Sequence, residues 1–333
     1  MSEFGGPSEL VQNTSANTSY REFLLLAFPG FQKSRYLLAI PFFCIYLMII
    51  LANSLLIYTV KAESCLHSPM YLLIALLLAV NVFGSTTVLP QMLLSFLFGI
   101  SSISLTGCLV QMFFLYLAIM LDTGILLMMA LDRYVAICHP LHYADILTGK
   151  LLGLLAAAAL VRSVSIVSPV VILASQVRFC RSNVIEHFAC EHMALMKLSC
   201  GDTSRNRVVG MAVRSFTIVF DLVFLALSYS KIILTALKMA SGSFRHKAFH
   251  TCSTHLIVLF IGYSSCLSSS IVFRLAKSAS QDVHNLLSVM YLLFPGAINP
   301  VIYGVRTKEI RESIQRLFRR WRWTLFGPRK LGT

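Results

Sequence analysis

Seven apolar stretches, each long enough to cross a lipid bilayer, restrict most strongly what this chain can fold into. A helix needs about 20 apolar residues to cross the hydrocarbon core. Only 13% of the residues are charged, about half the share found in soluble proteins. We therefore predict an all-α membrane protein, a bundle of seven transmembrane helices. The predicted spans are Tyr36–Val60, Met70–Phe98, Ser104–Ile137, Leu151–Gln176, Val208–Tyr229, Ala248–Phe273 and Leu286–Val305.

The basic residues indicate how this bundle is oriented in the membrane. An odd number of spans places the two termini on opposite sides, and cytoplasmic loops carry an excess of Lys and Arg. With the N-terminus outside, 16 of the 28 Lys and Arg residues lie in cytoplasmic segments and 10 in outer segments. Five of those ten lie in one long outer loop, where the rule is weaker. We predict a multi-pass plasma-membrane protein with an extracellular N-terminus.

Three segments follow from this orientation. Residues 1–35 form an extracellular tail, residues 36–305 the seven-span domain, and residues 306–333 a cytoplasmic helix and tail. The first segment has no basic and apolar regions of the kind that make a cleavable signal peptide. Asn13 and Asn17 each begin an Asn-x-Ser/Thr sequon, so we predict that both are glycosylated.

An amphipathic pattern follows the last span. Ile310, Ile314, Leu317 and Trp321 recur at helical spacing, with arginines between them. This pattern predicts a short helix lying on the inner leaflet, the alternative being a disordered basic tail. The net charge of +14 is distributed between apolar spans, which favours anionic lipid headgroups over nucleic acid as the partner.

The longest motif runs from Met129 to Tyr143 and reads MALDRYVAICHPLHY. It places Asp132, Arg133 and Tyr134 where the third span meets the cytoplasm. A charge at that depth is costly and usually functional, although a bare Asp-Arg-Tyr triplet is also compatible with a solvated helix end.

Four shorter blocks follow in the same chain. SPMY opens the second span, SY closes the fifth, KAFHTCSTH opens the sixth and NPVIY ends the seventh. Together with the long motif they resemble vertebrate odorant receptors, a branch of the rhodopsin-like G-protein-coupled receptors. The resemblance extends from Phe28 to Phe318. The stretch CEHMALMKLSC, from Cys190 to Cys200, resembles the class I, or fish-like, members.

The resemblance implies a receptor that binds small volatile or oxygenated organic molecules and activates a stimulatory heterotrimeric G protein, raising cyclic AMP. It implies no enzymatic activity and no cofactor, and the chain carries no catalytic motif such as G-x-S-x-G or H-E-x-x-H. Two alternatives stay open. One is a rhodopsin-like receptor for a non-odorant small molecule such as a fatty-acid metabolite. The other is a transporter or channel, against which the lack of internal repeats argues.

The same resemblance implies which residues couple the receptor to its G protein. Pro300 can kink the last span because it lacks a backbone N–H. Tyr229 is placed to reach Arg133 when the inner ends of the fifth and sixth spans move apart. The full switch set is Asp132, Arg133, Tyr134, Tyr229, Lys247, His255, Asn299, Pro300 and Tyr303.

A ligand pocket is expected among the outer halves of the third, fifth, sixth and seventh spans. Arg274 aligns with an arginine that looks like a fatty-acid anchor in some class I members, and a guanidinium binds carboxylates with two parallel bonds. Alternatively, Arg274 pairs with Asp282 or faces water. We predict a medium-chain, oxygenated, fairly apolar ligand. The predicted lining is Met112, Tyr116, Met120, Arg214, Tyr263, Cys266, Leu267, Ser270 and Arg274.

Arg214 and Asp221 are charged residues within the fifth span. They lie seven residues apart on one helical face, so both are expected to point into the bundle. Their separation of about 10 Å is long for a direct ion pair. Arg162 is a third charged residue inside a span, and the sequence assigns it no role.

Two further features depend on the resemblance. The four outer cysteines allow three pairings, and the family pattern implies Cys108–Cys190 and Cys180–Cys200. Asn81 and Asp122 lie at mid-membrane, where the family usually has two acids. Because one carboxylate makes a weaker sodium site than two, we predict no resident metal. Asn81 and Asp122 remain the candidate sodium ligands, and the alternative is a hydrogen-bonded, partly neutral cluster with Asn299.

Overall fold

All seven predicted spans are helical in the computed structural model, which describes residues 19–238, 242–275 and 280–326. Within these ranges, side chains are described except at residues 32, 243–244, 247–248, 265–275 and 321–326. The end of the bundle that carries the two disulfides is called the outer end. The spans are α1 (Arg35–Ala62), α2 (Pro69–Thr86) with α3 (Leu89–Phe98), α4 (Leu105–Cys138), α6 (Gly149–Ser175), α8 (Ser204–Lys238), α9 (Gly242–Leu275) and α10 (Gln281–Arg306).

Three further helices and three strands lie before, between or after the spans. The helices are α5 (Tyr143–Ile146), α7 (His192–Met196) and α11 (Lys308–Phe326), and the strands are β1 (Glu22–Leu25), β2 (Ser102–Ser104) and β3 (Val184–Ile185). Single 3₁₀ turns cover Pro29–Ser34, Ser64–Leu66 and Pro140–His142. Six of the long helices are apolar and long enough to cross a membrane, counting only the residues that the structure describes.

The second and fifth spans differ most from the sequence expectation, whereas the sixth and seventh begin five or six residues earlier than predicted. The second span is not one continuous helix, because it breaks at Thr87 and Val88. Pro90 follows directly, and its ring cannot continue the preceding helix. The fifth span, predicted as Val208–Tyr229, extends from Ser204 to Lys238, because its polar ends continue the helix beyond the apolar segment.

The third span, α4, lies at the centre of the bundle and packs against α2, α6, α8 and α9. Its buried side chains join an inner and an outer apolar core. Phe216, Val219 and Val223 on α8 are exposed large apolar residues, as expected for a surface that faces lipid. The helix packing therefore leaves the polar residues of α4, α8 and α9 inside the bundle.

A small sheet at the outer end was not predicted. The strand β1 pairs antiparallel with β2 and parallel with β3, so the strand order is β2-β1-β3. The backbone N–H of Gly30 also donates to the Asp282 carboxylate at 3.2 Å. The segment predicted as a tail therefore connects the first outer loop, the long outer loop and the start of the seventh span.

Both predicted cystine pairs are present at the outer end. Cys108–Cys190 joins α4 to the long outer loop with a Cα–Cα distance of 5.3 Å. Cys180–Cys200 closes that loop on itself with a Cα–Cα distance of 5.5 Å. Phe23, Met112 and other buried apolar residues pack around the first disulfide. This packing fixes the long outer loop over the bundle.

The helix after the last span, α11, is held to the bundle on one face. Ile310 and Leu317 are buried there. Arg316 and Arg320 each form an ion pair with Glu63 at 3.3 Å. The predicted apolar stripe therefore packs partly against the first and seventh spans, and two arginines of the helix reinforce this packing through Glu63.

Candidate functional site

The inner end of α4 holds Arg133 in an ion pair with the carboxylate beside it. The Arg133 Nε donates to Asp132 Oδ2 at 2.8 Å, and Tyr143 Oη donates to Asp132 Oδ1 at 2.7 Å. The Asp132 side chain is fully buried, and that of Arg133 is 14% exposed. Burial, together with the neighbouring Asp132 carboxylate, raises the pKa of the Tyr143 hydroxyl above its ordinary value. Tyr134 packs edge-on against His139.

A second contact joins the fifth and sixth spans. The Tyr229 hydroxyl hydrogen-bonds to His255 Nδ1, and both side chains are buried. Tyr229 is therefore engaged with α9 in this conformation. Its predicted contact with Arg133 belongs to a different arrangement of the helices and stays a prediction.

A third contact, which the sequence did not suggest, joins the sixth and seventh spans. Arg306 in the last turn of α10 donates to Ser253 Oγ at 2.9 Å and to Thr254 Oγ1 at 3.1 Å. Any outward movement of the inner end of α9 must break both bonds. The signal that was available is an arginine three residues after Tyr303, facing the KAFHTCSTH block.

The remaining predicted switch residues lie close to these contacts. Asn299, Pro300 and Tyr303 are buried in α10, and the Tyr303 hydroxyl lies 4.0 Å from the Met129 sulfur on α4. The Lys247 side chain lies outside the part of the chain that the structure describes. The structure therefore gathers most of the predicted set at the inner end of the bundle.

At mid-membrane, a polar network joins three spans. Arg162 on α6 forms an ion pair with Asp221 on α8 at 2.7 Å. Tyr263 on α9 donates to the other carboxylate oxygen of Asp221 at 3.2 Å. The network therefore joins α6, α8 and α9 around one fully buried carboxylate.

A close approach between α4 and α6 accompanies this network. A Cβ atom on Gly124 would lie 3.2 Å from the Ala159 Cβ and 3.9 Å from an Arg162 terminal nitrogen. The absent side chain leaves space for Arg162 to pass α4 and reach Asp221. Asp221 points inward as predicted, and its ionic partner is Arg162, the residue to which the sequence assigned no role.

The outer part of the predicted ligand pocket is covered by the long outer loop. Tyr116 Oη donates to Glu191 Oε1 at 3.4 Å and accepts from the His192 backbone N–H at 3.0 Å. Met112 is fully buried, whereas Met120 and Arg214 are half-buried. Glu191 and His192 were not predicted as part of this site, although both belong to the CEHMALMKLSC stretch.

Five of the nine predicted pocket residues can therefore be placed by their side chains. Those of Cys266, Leu267, Ser270 and Arg274 lie outside the described part of α9. The alternative pairing of Arg274 with Asp282 is likewise not tested, and the Asp282 carboxylate accepts from Gly30. Asn13 and Asn17 precede the first residue that the structure describes.

Buried amides and a carboxylate line the middle of the bundle near the seventh span. Asn53 Nδ2 donates to the carbonyl oxygens of Ile49 and Gly296. Among the buried atoms that have no hydrogen-bond partner within the described residues are Asn81 Nδ2, Asp122 Oδ1 and Asn299 Oδ1. Atoms of this kind in proteins are usually satisfied by buried water or a small cation. The weak sodium candidacy of Asn81 and Asp122 stays a prediction.

Comparison with known proteins identifies the family to which this chain is similar. The family model that matches is that of olfactory receptors, over residues 42–320. Human olfactory receptor 52K1 is 44% identical over 311 residues, which cover 93% of this chain and 99% of that protein. Human olfactory receptor 52K2 is 44% identical over 90% of this chain and 95% of its own. Mouse olfactory receptor 51E2 is 37% identical over 92% and 96%.

Proposed function

Because this chain belongs to the olfactory receptor family, as an odorant-sensing G-protein-coupled receptor and not an enzyme, we propose that it activates the stimulatory olfactory G protein and raises cyclic AMP. The observation that carries the proposal is the set of three contacts at the inner end of the bundle. Two of them hold the inner end of α9 against α8 and α10, and the third pairs Arg133 with Asp132. This is the closed form of a two-state switch.

Opening this switch would change the charge that the inner face presents. Outward movement of α9 would break the Arg306 bonds to Ser253 and Thr254 and separate Tyr229 from His255. Tyr229 would then be free to turn toward Arg133, and the guanidinium would leave Asp132 to form the floor of a cationic socket. A G-protein α subunit would dock its C-terminal segment there. An odorant acts by binding the open form more tightly than the closed one.

The mid-membrane network supplies the connection between the ligand and this switch. Tyr263 belongs to the predicted pocket and donates to Asp221, so a ligand that displaces its hydroxyl also loosens α9 from α8. The inner ends of the same two helices carry Tyr229 and His255. A ligand contact at Tyr263 therefore biases the helix pair that must separate.

The location that we propose is the plasma membrane, with an extracellular N-terminus that is glycosylated at Asn13 and Asn17. Disulfides form in oxidising compartments, and both cystine pairs lie at one end of the bundle. This supports placing that end outside the cell. At the other end, α11 presents arginines beside its buried apolar stripe. Such a helix suits an inner leaflet that contains anionic lipids.

Replacing Arg274 with Ala tests the ligand class. We expect the cyclic AMP response to medium-chain carboxylic acids to need at least about tenfold more ligand, because a charge-assisted bidentate bond is lost. Aldehydes and ketones of the same chain length should keep their potency. The measurement is a concentration–response series in cells that express each variant at equal surface density.

Arg181→Ala is the matched control, since Arg181 is an exposed arginine of the long outer loop that is not a predicted pocket residue. If the response of Arg274→Ala to acids were unchanged, Arg274 would not be a ligand-binding residue, and the proposed receptor function would still stand. A receptor that responds to peptides or amines, and to none of the acids, aldehydes and ketones, would contradict the proposed ligand class altogether.

A further inference from the structure

A cleft of about 490 Å³ opens at the outer end of the bundle, where α6 ends and α8 begins. The long outer loop forms its rim. No residue of the predicted odorant pocket lines it. Its volume lies within the range of about 300–1,000 Å³ that small-molecule sites occupy. The cleft is therefore large enough for a ligand and separate from the pocket between the spans.

The walls of this cleft are fixed by covalent and backbone bonds. The Cys180–Cys200 disulfide forms part of the lining. The Cys200 backbone N–H donates to the Arg178 carbonyl at 3.1 Å. Ser19 also lines the cleft, and its Oγ accepts from the Phe179 backbone N–H at 3.1 Å. A site whose walls are already held in place loses little free energy to ordering when a ligand binds.

The charges in the cleft favour an anion. Two arginines, Arg178 and Arg205, line it together with one acidic residue, Asp202. Asp202 is used internally, because its Oδ1 accepts from the Ser204 backbone N–H at 2.8 Å. Hydrogen bonds from Ser204 hold the pKa of the Asp202 carboxyl below its usual range. Arg205 is exposed and forms no hydrogen bond or ion pair within the residues that the structure describes.

The rest of the lining favours a ligand with an apolar part. Leu173 and Val177, from the last turn of α6 and just beyond it, are half-buried and line the same cleft. The N-terminal end of the long helix α8 adds a partial positive charge at the cleft rim. A free guanidinium beside an apolar surface is the pairing that binds a carboxylate carrying a hydrocarbon or aromatic group.

We propose that this cleft is a second binding site, which takes a small organic carboxylate with an apolar tail through Arg205, Leu173 and Val177. A single residue, His192, lies between this cleft and Tyr116 of the predicted odorant pocket. Asn206 lines the cleft and also lies beside His192, whose backbone N–H donates to the hydroxyl of Tyr116. That proximity matters for odorant responses only if the proposed function holds, whereas carboxylate binding does not depend on it.

The test measures binding directly on the full-length receptor in lipid nanodiscs. The probe is 4-(trifluoromethyl)benzoate, followed by the broadening of its fluorine resonance as receptor is added. Empty nanodiscs give the contribution of lipid partitioning. We expect saturable binding, a dissociation constant on the order of tenfold higher in Arg205→Gln, and loss of the site in Gly201→Trp. The neutral amide of the same probe should bind the unchanged receptor on the order of tenfold more weakly.

Two matched variants control for folding and for general charge. Arg207→Gln removes an arginine of the same helical turn that contacts Ser204 and does not line the cleft. Gly149→Trp places a tryptophan at the inner end of α6. A Cβ at Gly149 or Gly201 meets no atom within 4 Å, so neither substitution clashes with a neighbour at the Cβ position. The proposal is overturned if no saturable binding appears at millimolar probe, or if Arg205→Gln and Gly201→Trp bind as the controls do.

Discussion

Replacing Asp221 with Leu should lower the free energy of unfolding by about 3–5 kcal/mol, the cost of leaving one partner of a buried ion pair uncompensated. The Asp221 carboxylate is fully buried, and the Arg162 side chain is only 25% exposed. After the substitution, the Arg162 guanidinium would remain in the bundle without its counter-charge. The thermal unfolding midpoint of the purified receptor should fall accordingly, and surface expression with it.

A double variant separates this mechanism from a simple packing defect. Replacing Arg162 with Met together with Asp221→Leu removes both charges and leaves apolar side chains of similar length. Because a buried pair can often be exchanged for apolar residues with little loss, the double variant should recover most of the lost unfolding midpoint. A double variant that is as unstable as Asp221→Leu alone would show that the ion pair is not the cause.

Arg133→Gln should reduce odorant-stimulated nucleotide exchange by the G protein by at least tenfold, with expression and odorant binding preserved. The reason is that the substitution removes the charge at the floor of the proposed socket. A tenfold loss corresponds to about 1.4 kcal/mol. The measurement is the rate of labelled GTP-analogue uptake by purified G protein on receptor-containing nanodiscs.

Changing Asp132, the partner of Arg133, provides the control for this interpretation. Asp132→Asn keeps the hydrogen-bonding shape but weakens the hold on Arg133, so exchange without odorant should rise. Tyr143 donates to the same carboxylate, and Tyr143→Phe should raise basal exchange in the same direction to a smaller extent. If Asp132→Asn lowered basal exchange, the pairing seen here would not be a closed state.

The spans were predictable from the sequence because the cost of placing residues in hydrocarbon is a local property. Runs of about 20 apolar residues define a helix without reference to the rest of the chain. The break at Thr87 and Val88 was missed because apolar residues resume directly after it, although Pro90 and the polar residues Ser85, Thr86 and Thr87 marked the position. The three-stranded sheet was missed because β1 must pair with β2 and β3, about 80 and 160 residues further along the chain.

The candidate site likewise contains residues that the sequence predicted and one contact that it missed. The motif residues at the inner end were named from family resemblance, and the structure places Asp132, Tyr229 and His255 in direct contacts. The partner of Asp221 was missed because only residues of the same helix were considered, and Arg214 was too distant. An unassigned arginine in the neighbouring span was the available signal, since a charge inside a membrane needs a counter-charge.

The long outer loop shows why the sequence could not complete the ligand pocket. Its two disulfides were implied by resemblance, but the way that α7 lies over Tyr116 depends on how the loop folds back. Glu191 and His192 reach Tyr116 because the neighbouring Cys190 is tied to Cys108. Side-chain contacts of this kind depend on the position of the whole loop and not on a local pattern.

The two-state account is tested most directly by the distance between the inner ends of α4 and α9, measured by pulsed electron–electron double resonance between two spin labels. Leu141 is 90% exposed after α4, and His246 is exposed on α9, so Leu141→Cys and His246→Cys provide label positions. The exposed free thiols of Cys44 and Cys65 are removed first. Odorant with nucleotide-free G protein should shift the distance distribution to longer values. An unchanged distribution, in a receptor that still stimulates nucleotide exchange, would contradict the account.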